Sequence, residues 1–268
     1  MKRKAFSAPY IIWILIFVIG PILITLFYAF GQGEWTLDNL SKAFSGDYII
    51  TFGDSVLTAL IVTGICLLIG YPAAYIISRL RTSTARFIII LMVMPMWMNF
   101  LLRTYAWKAL LDPSGIINQL LMSIGIPSQQ LINTQGAVIM GLLYNFLPFM
   151  ILPIYTAIQK MDSGLIEASS DLGAGKLQTF GRVILPLSMP GIITGIVMVF
   201  MPAITTFVVT KLLGGGHYFM YGDLIEFQFT TARDWNFGSA LAVVMFLLML
   251  VSMIIMRRID KDGEGYML

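Results

Sequence analysis

Glu167, Ala168, Ser169, Asp171, Leu172 and Gly173 fall in one short polar island, Glu167-Ala-Ser-Ser-Asp-Leu-Gly173, between two long apolar runs. Glu167 and Asp171 are four residues apart and share one helix face, whereas Leu165, Ala168 and Leu172 form another. A charged island between apolar runs belongs where the chain meets water or a soluble partner. Its chemistry is recognition rather than bond-making. The remaining reactive side chains are sparse. His217 is the one histidine and has no cysteine or second histidine to share a metal, so neither a metal nor a cofactor is expected. Cys66 is the one cysteine and lies in an apolar run, which suits packing. No G-x-x-x-x-G-K-[ST] phosphate loop is present, so ATP hydrolysis would have to come from a partner.

The rest of the chain places this island. Of the 268 residues 58% are hydrophobic and 12% charged, against roughly 25% charged in soluble domains. That leaves too little polar surface for a water-soluble fold and predicts an all-α integral membrane protein. Six apolar runs approach the roughly 20 residues needed to cross a hydrocarbon core of about 30 Å. They lie near residues 10–30, 56–77, 87–102, 136–158, 190–209 and 237–256, in one transmembrane domain, 1–268. The first run is too long for a signal-peptide core and no small-x-small site follows it, so it reads as an uncleaved span. The third is short and is expected to continue as an amphipathic helix through Arg103 and Lys108 to Asp112-Pro-Ser-Gly115. Pro95, Pro148, Pro153 and Pro202 are expected to break or kink their spans.

Orientation follows from Lys and Arg near the span ends. Lys2, Arg3, Lys4, Arg79, Arg81, Arg86, Lys160, Lys176, Arg182, Arg257, Arg258 and Lys261 fall on one side, twelve of the 17 basic residues. This predicts both termini and the island in the cytoplasm. The net charge of +3 is small and one-sided, and it gives no reason to expect nucleic acid.

Within the element 160–187, Asp162 or Ser163 can cap a helix over residues 164–172. Gly173-Ala-Gly175 allows a reversal with positive φ, and a second helix from Lys176 to Ile184 is expected to end before Pro186. The product is a knob that fits a groove on a soluble partner. The alternative, a helix lying on lipid, would favour Lys and Arg on its polar face, but this one carries only acids.

The island, followed by Val183, Leu185 and Pro186, resembles the EAA signature of permease subunits in ABC importers (E-A-A, three residues, G, nine residues, I-x-L-P). Ser169 replaces the second alanine and Val183 the isoleucine, both close in size. Longer strings resemble the first, B-type permeases of spermidine/putrescine importers. They are Asp171-Leu-Gly-Ala-Gly-Lys-Leu-Gln-Thr-Phe180, Ile184-Leu-Pro-Leu-Ser-Met-Pro-Gly-Ile192, Pro95-Met-Trp-Met-Asn99 with Arg103 and Tyr105, Leu147-Pro-Phe149 with Leu152-Pro153-Ile-Tyr155, and Arg233-Asp-Trp235 with Phe237-Gly238. The resemblance implies six spans in the type I importer permease fold and a bacterial inner-membrane location. It also implies a second permease as heterodimer partner, two copies of an ATP-binding subunit and an extracytoplasmic polyamine-binding protein. Glu167, Ala168, Ser169, Asp171, Leu172 and Gly173 would then couple to the ATPase.

A polyamine pathway needs carboxylates and aromatic faces. Phe207 beyond Pro202, Glu226 near the outer mouth, and Trp97 and Asn99 after Pro95 are the candidates. Packing or lipid contact for the aromatics and a solvated charge for Glu226 stay open. The first outer loop carries Glu34, Asp38, Asp47 and Asp54 against Lys42, a weak signal for a cationic substrate. The alternative solutes for the same fold are sulfate, molybdate, phosphonate and ferric iron. An intramembrane enzyme would need acids or histidines in the span cores, and these have none.

Overall fold

The structure, a computed structural model, describes residues 9–31 and 36–259, with side chains to residue 255. Lys2, Arg3, Lys4, Glu34 and Lys261 lie outside the described residues, as do the side chains of Arg257 and Arg258. Among the described residues the elements are helical throughout.

The first helix, α1 (Pro9–Ala29), contains one π-helical turn at Leu15–Ile19. A short helix α2 (Asp38–Ala43) leads into α3 (Gly46–Ser78), which has 33 residues. At 1.5 Å per residue α3 is about 50 Å long, well beyond a hydrocarbon core of about 30 Å. It begins ten residues before the apolar run that announced it. The extra turns carry Asp47 in the first turn, favourable to the helix dipole, and hydroxyls such as Thr51 that bond back to the preceding turn (Thr51 Oγ1 to the Asp47 carbonyl, 2.9 Å).

The third apolar run breaks at Pro95 as expected, and its amphipathic continuation through Arg103 and Lys108 is a separate helix. The helix α4 (Thr82–Val93) ends in a 3₁₀ turn, Met94–Trp97, at Pro95. Met98 is extended, and Asn99 caps α5 (Phe100–Leu111), accepting from the Leu101 amide at 2.8 Å. The chain bends by 93° there. Beyond Asp112, α6 (Ile116–Ser123) is pinned through buried Asn118, which donates to the carbonyls of Asp112 and Gln129 and accepts from the Gln129 amide.

The helix α7 (Gln135–Gln159) runs without a break through Pro148 and Pro153, contrary to the expected interruption. Pro148 is buried against neighbouring helices, and that packing holds the helix where the ladder lacks a donor. Then come the small helix α8 (Ser163–Asp171), the arm α9 (Lys176–Leu187), and α10 (Met189–Thr205), bent 61° from the arm. Pro202 does not break α10, which ends three residues later. Short helices α11 (Val208–Leu213) and α12 (Tyr221–Phe227) precede the last helix, α13 (Trp235–Ile259).

Among the described residues four helices are each long and apolar enough to cross a membrane, and up to six spans result if each bent pair counts as one. The core is a bundle of α3, α7 and α10. Glycines let these backbones close. A Cβ on Gly195 would meet Met150 Sδ at 2.7 Å, and one on Gly191 would meet the Pro153 carbonyl at 2.7 Å. Gly191 and Gly195 form a small-xxx-small pair that seats α10 against α7, the packing that lipid-embedded helices use when burial alone drives nothing. The helix α1 stands apart and packs chiefly along α13, where Ala29, Ala240 and Val243 meet.

Candidate functional site

The polar island is an exposed helical hairpin. Asp162 is the cap of α8, its Oδ1 accepting from the Gly164 amide at 2.9 Å. The helix runs Ser163–Asp171 and stops at Gly173, whose φ of +81° only glycine adopts without strain. Gly175 shares no such geometry; its φ is −69°. The second helix does not end before Pro186. The arm runs from Lys176 through a π-helical turn, Phe180–Ile184, to Leu187, with Pro186 near the start of its last piece. There the missing amide costs little.

Glu167 and Asp171 are both exposed. Leu172 is 89% and Leu177 85% exposed. Leu165, Ala168, Ser169, Leu172, Gly173 and Ala174, with Gln178, Arg182 and Val183 from the arm, line a cleft of about 410 Å³. The hairpin thus offers exposed leucines, a cleft whose one charged lining residue is Arg182, and two exposed acids on α8. Ser169 ties its halves together, its hydroxyl 3.0 Å from Thr179 Oγ1.

The second candidate region lies around α11 and α12. Phe207 precedes α11 and shares a cleft of about 430 Å³ with Glu226, Thr205, Gly222, Phe229 and Met245. Two sequence candidates therefore meet. Trp97 and Asn99 are not among the residues lining that cleft; Trp97 is 82% exposed on the 3₁₀ turn, and the Asn99 side chain is engaged as a cap. Glu226 is not a free carboxylate. Lys211 Nζ lies 3.0 Å from its Oε1, and Thr230 Oγ1 donates to it at 3.2 Å.

Asp223 is the residue sequence reasoning passed over. It sits one turn before Glu226 and is 6% exposed. Its Oδ2 accepts from the Met220 amide at 2.8 Å, and its Oδ1 lies 2.8 Å from Thr210 Oγ1. Burial pushes its carboxyl up to about 6, against the pull of those two bonds. Thr210 has one hydroxyl proton and two acceptors within 2.8 Å, Asp223 and the Phe207 carbonyl. The Phe207 carbonyl also accepts from the Lys211 amide at 3.0 Å, which leaves the Thr210 proton able to serve Asp223. Nothing in the local sequence distinguishes Asp223 from the solvated acids, because its burial depends on α11 folding over it.

Residues 66–262 match the family described as the binding-protein-dependent transport system inner membrane component. The chain is 41% identical over 262 residues to the spermidine/putrescine transport system permease protein PotB of Haemophilus influenzae, covering 93% of this chain and 91% of the relative. It is 38% identical over 266 residues to PotB of Escherichia coli, covering 94% and 97%. Among solved structures, a bacterial ABC transporter involved in import of the acidic polysaccharide alginate superposes with a TM-score of 0.77 at 22% identity, covering 96% of this chain and 95% of that one. The protein belongs to the inner-membrane components of binding-protein-dependent transport systems. It is an all-α, multi-pass inner-membrane permease with the type I ABC importer fold.

Proposed function

We propose that this chain is the first permease subunit of an ATP-driven polyamine importer, carrying spermidine or putrescine. The observation that supports this most is the likeness to the PotB permeases, 41% and 38% identity along nearly the full length of both chains. The chain would form half of the pathway, as one transmembrane domain beside a second permease. Two copies of an ATP-binding subunit would engage the hairpin from the cytoplasm, where both termini also lie, and an extracytoplasmic binding protein would deliver substrate.

The hairpin is suited to that role. Exposed Leu172 and Leu177 supply apolar anchors, and Glu167 and Asp171 supply the charge that orients them. A groove on the ATPase that accepts Glu167 rejects a cation at the same place. On the pathway, Phe207 offers an aromatic face to the methylenes of a polyamine and Glu226 offers a carboxylate. An ammonium group competes with Lys211 for Glu226, so the Lys211–Glu226 pair opens as substrate arrives.

The test is ATPase activity of the reconstituted complex while spermidine, putrescine and sulfate are titrated. Polyamine is expected to stimulate turnover, and Glu167→Lys to lower that stimulation at least tenfold with the complex still assembled. Stimulation by sulfate alone would sink the polyamine reading.

A further inference from the structure

The route from the hairpin to the bundle runs through a small set of contacts. Phe180, at the start of the π-helical turn in the arm, stands edge-on between two tyrosines of α3. Its ring centroid is 5.7 Å from Tyr71 at 88° and 5.5 Å from Tyr75 at 84°. The arm meets α10 at Ser188, which is fully buried at the 61° bend. Ser188 Oγ donates to the Leu185 carbonyl at 2.9 Å, spending its one proton. The Tyr71 hydroxyl, 2.9 Å from that oxygen, is therefore the donor to it.

The corner keeps part of its ladder. The Ser188 amide donates to the Ile184 carbonyl at 2.9 Å and the Ile192 amide donates to the Ser188 carbonyl at 3.0 Å, although Pro186 and Pro190 on either side supply no amide. An edge-to-face ring contact is worth only about 0.5–1.5 kcal/mol beyond its burial, whereas a buried hydroxyl pair does not tolerate separation without leaving polar atoms unpaired. One contact can slide and the other holds.

Resting on the importer reading above, we propose that the arm and α10 act as one bell-crank. Ser188, pinned by Tyr71, is its pivot, and Phe180 running in the Tyr71–Tyr75 slot is its bearing. Displacement of the hairpin by the ATPase turns α10 about Ser188 rather than flexing the corner. The π-helical turn supplies the loosened geometry at the bearing, a feature frequent at working sites. Tyr71 and Ser188 are positioning residues.

Two measurements on the assembled importer test this. The first is radiolabelled putrescine taken up per ATP hydrolysed. Tyr71→Phe and Ser188→Ala remove the two ends of one bond, so each should lower uptake per ATP at least threefold while assembly and ATP turnover stay within twofold. The double variant should fall no further than either single one. An unchanged ratio, or uptake and turnover falling in parallel, would overturn the pivot. The second needs no polyamine. Spin labels are placed on exposed Leu177, Met198 and Leu68 in a Cys66→Ala background. A non-hydrolysable ATP analogue should shift the Leu177–Leu68 distance and leave Leu177–Met198 unchanged. Tyr71→Phe should broaden the shifted Leu177–Leu68 population. A shift in Leu177–Met198 shows a flexing corner and overturns the bell-crank. Wild-type complex that passes the label test but ignores polyamines sinks only the substrate reading; failure to bind any ATPase subunit sinks both.

Discussion

At the scale of single residues, Asp223 governs how the region around α12 responds to acid. Burial lifts its carboxyl to about 6, whereas an unfolded aspartate titrates near 3.9. Neighbouring Glu226 adds to the rise and Lys211 opposes it. As pH climbs from about 4 to about 6, the unfolded chain has already lost the proton that the native chain keeps. Stability therefore falls across that window, by about 3 kcal/mol at full effect, and does not recover above it. Asp223→Asn removes the burden. The variant should gain melting temperature over wild type at pH 7.5, lose about half of that advantage at pH 5 and most of it at pH 4, measured on detergent-solubilised protein. An advantage independent of pH would mean that Asp223 titrates normally.

At the scale of elements, the seam between α7 and α10 depends on two positions without side chains. Gly195→Leu should destabilise the bundle by about 1–3 kcal/mol, the usual cost of overpacking. Met150→Ala, which clears the facing thioether, should recover part of the loss in a double-variant melt. Equal losses with and without Met150 would show that the Gly195 contact is not the one that matters. Elements governed by neighbours in sequence were legible beforehand. The Asp162 cap, the positive φ at Gly173 and the break at Pro95 each follow from chemistry within four residues. Elements governed by distant partners were not. Proline alone cannot announce that α7 stays continuous, because burial against other helices decides it. Hydropathy cannot announce the first ten residues of α3, where Asp47, Thr51, Asp54 and Ser55 interrupt the apolar side chains. Pro186 read as a stop, yet it starts a turn. Within the candidate site, Glu167, Phe207 and Glu226 were visible as residue types in context. Tyr71, Tyr75 and Ser188 were not, since their role exists only once α3 meets the arm.

At the scale of the whole molecule, the asymmetry of Lys and Arg makes a prediction about sidedness. Leu177→Cys and Thr231→Cys are both exposed positions, and a membrane-impermeant maleimide applied to intact cells should label Thr231→Cys alone. Leu177→Cys should react only after permeabilisation. The opposite pattern would invert the topology and remove the hairpin from any cytoplasmic ATPase. The segment between α1 and α3 contributes little to this field. Asp38 and Asp47 serve the N-termini of α2 and α3, and Lys42 lies 4.2 Å from the centre of the Phe237 ring.

The pairing of α1 with α13 also sets an order of events during synthesis. The helix made first finds its main intrachain partner in the helix made last, some two hundred residues later. While the ribosome works through the intervening helices, α1 sits in lipid with its apolar surface facing acyl chains, stable as a lone span but unassembled. The bundle of α3, α7 and α10 forms without it. Release of the C-terminal helix is therefore the step that closes the subunit, and a nascent chain cut short before Trp235 leaves the membrane holding an orphaned anchor and a core without Phe237, Leu241, Val244 and Met245.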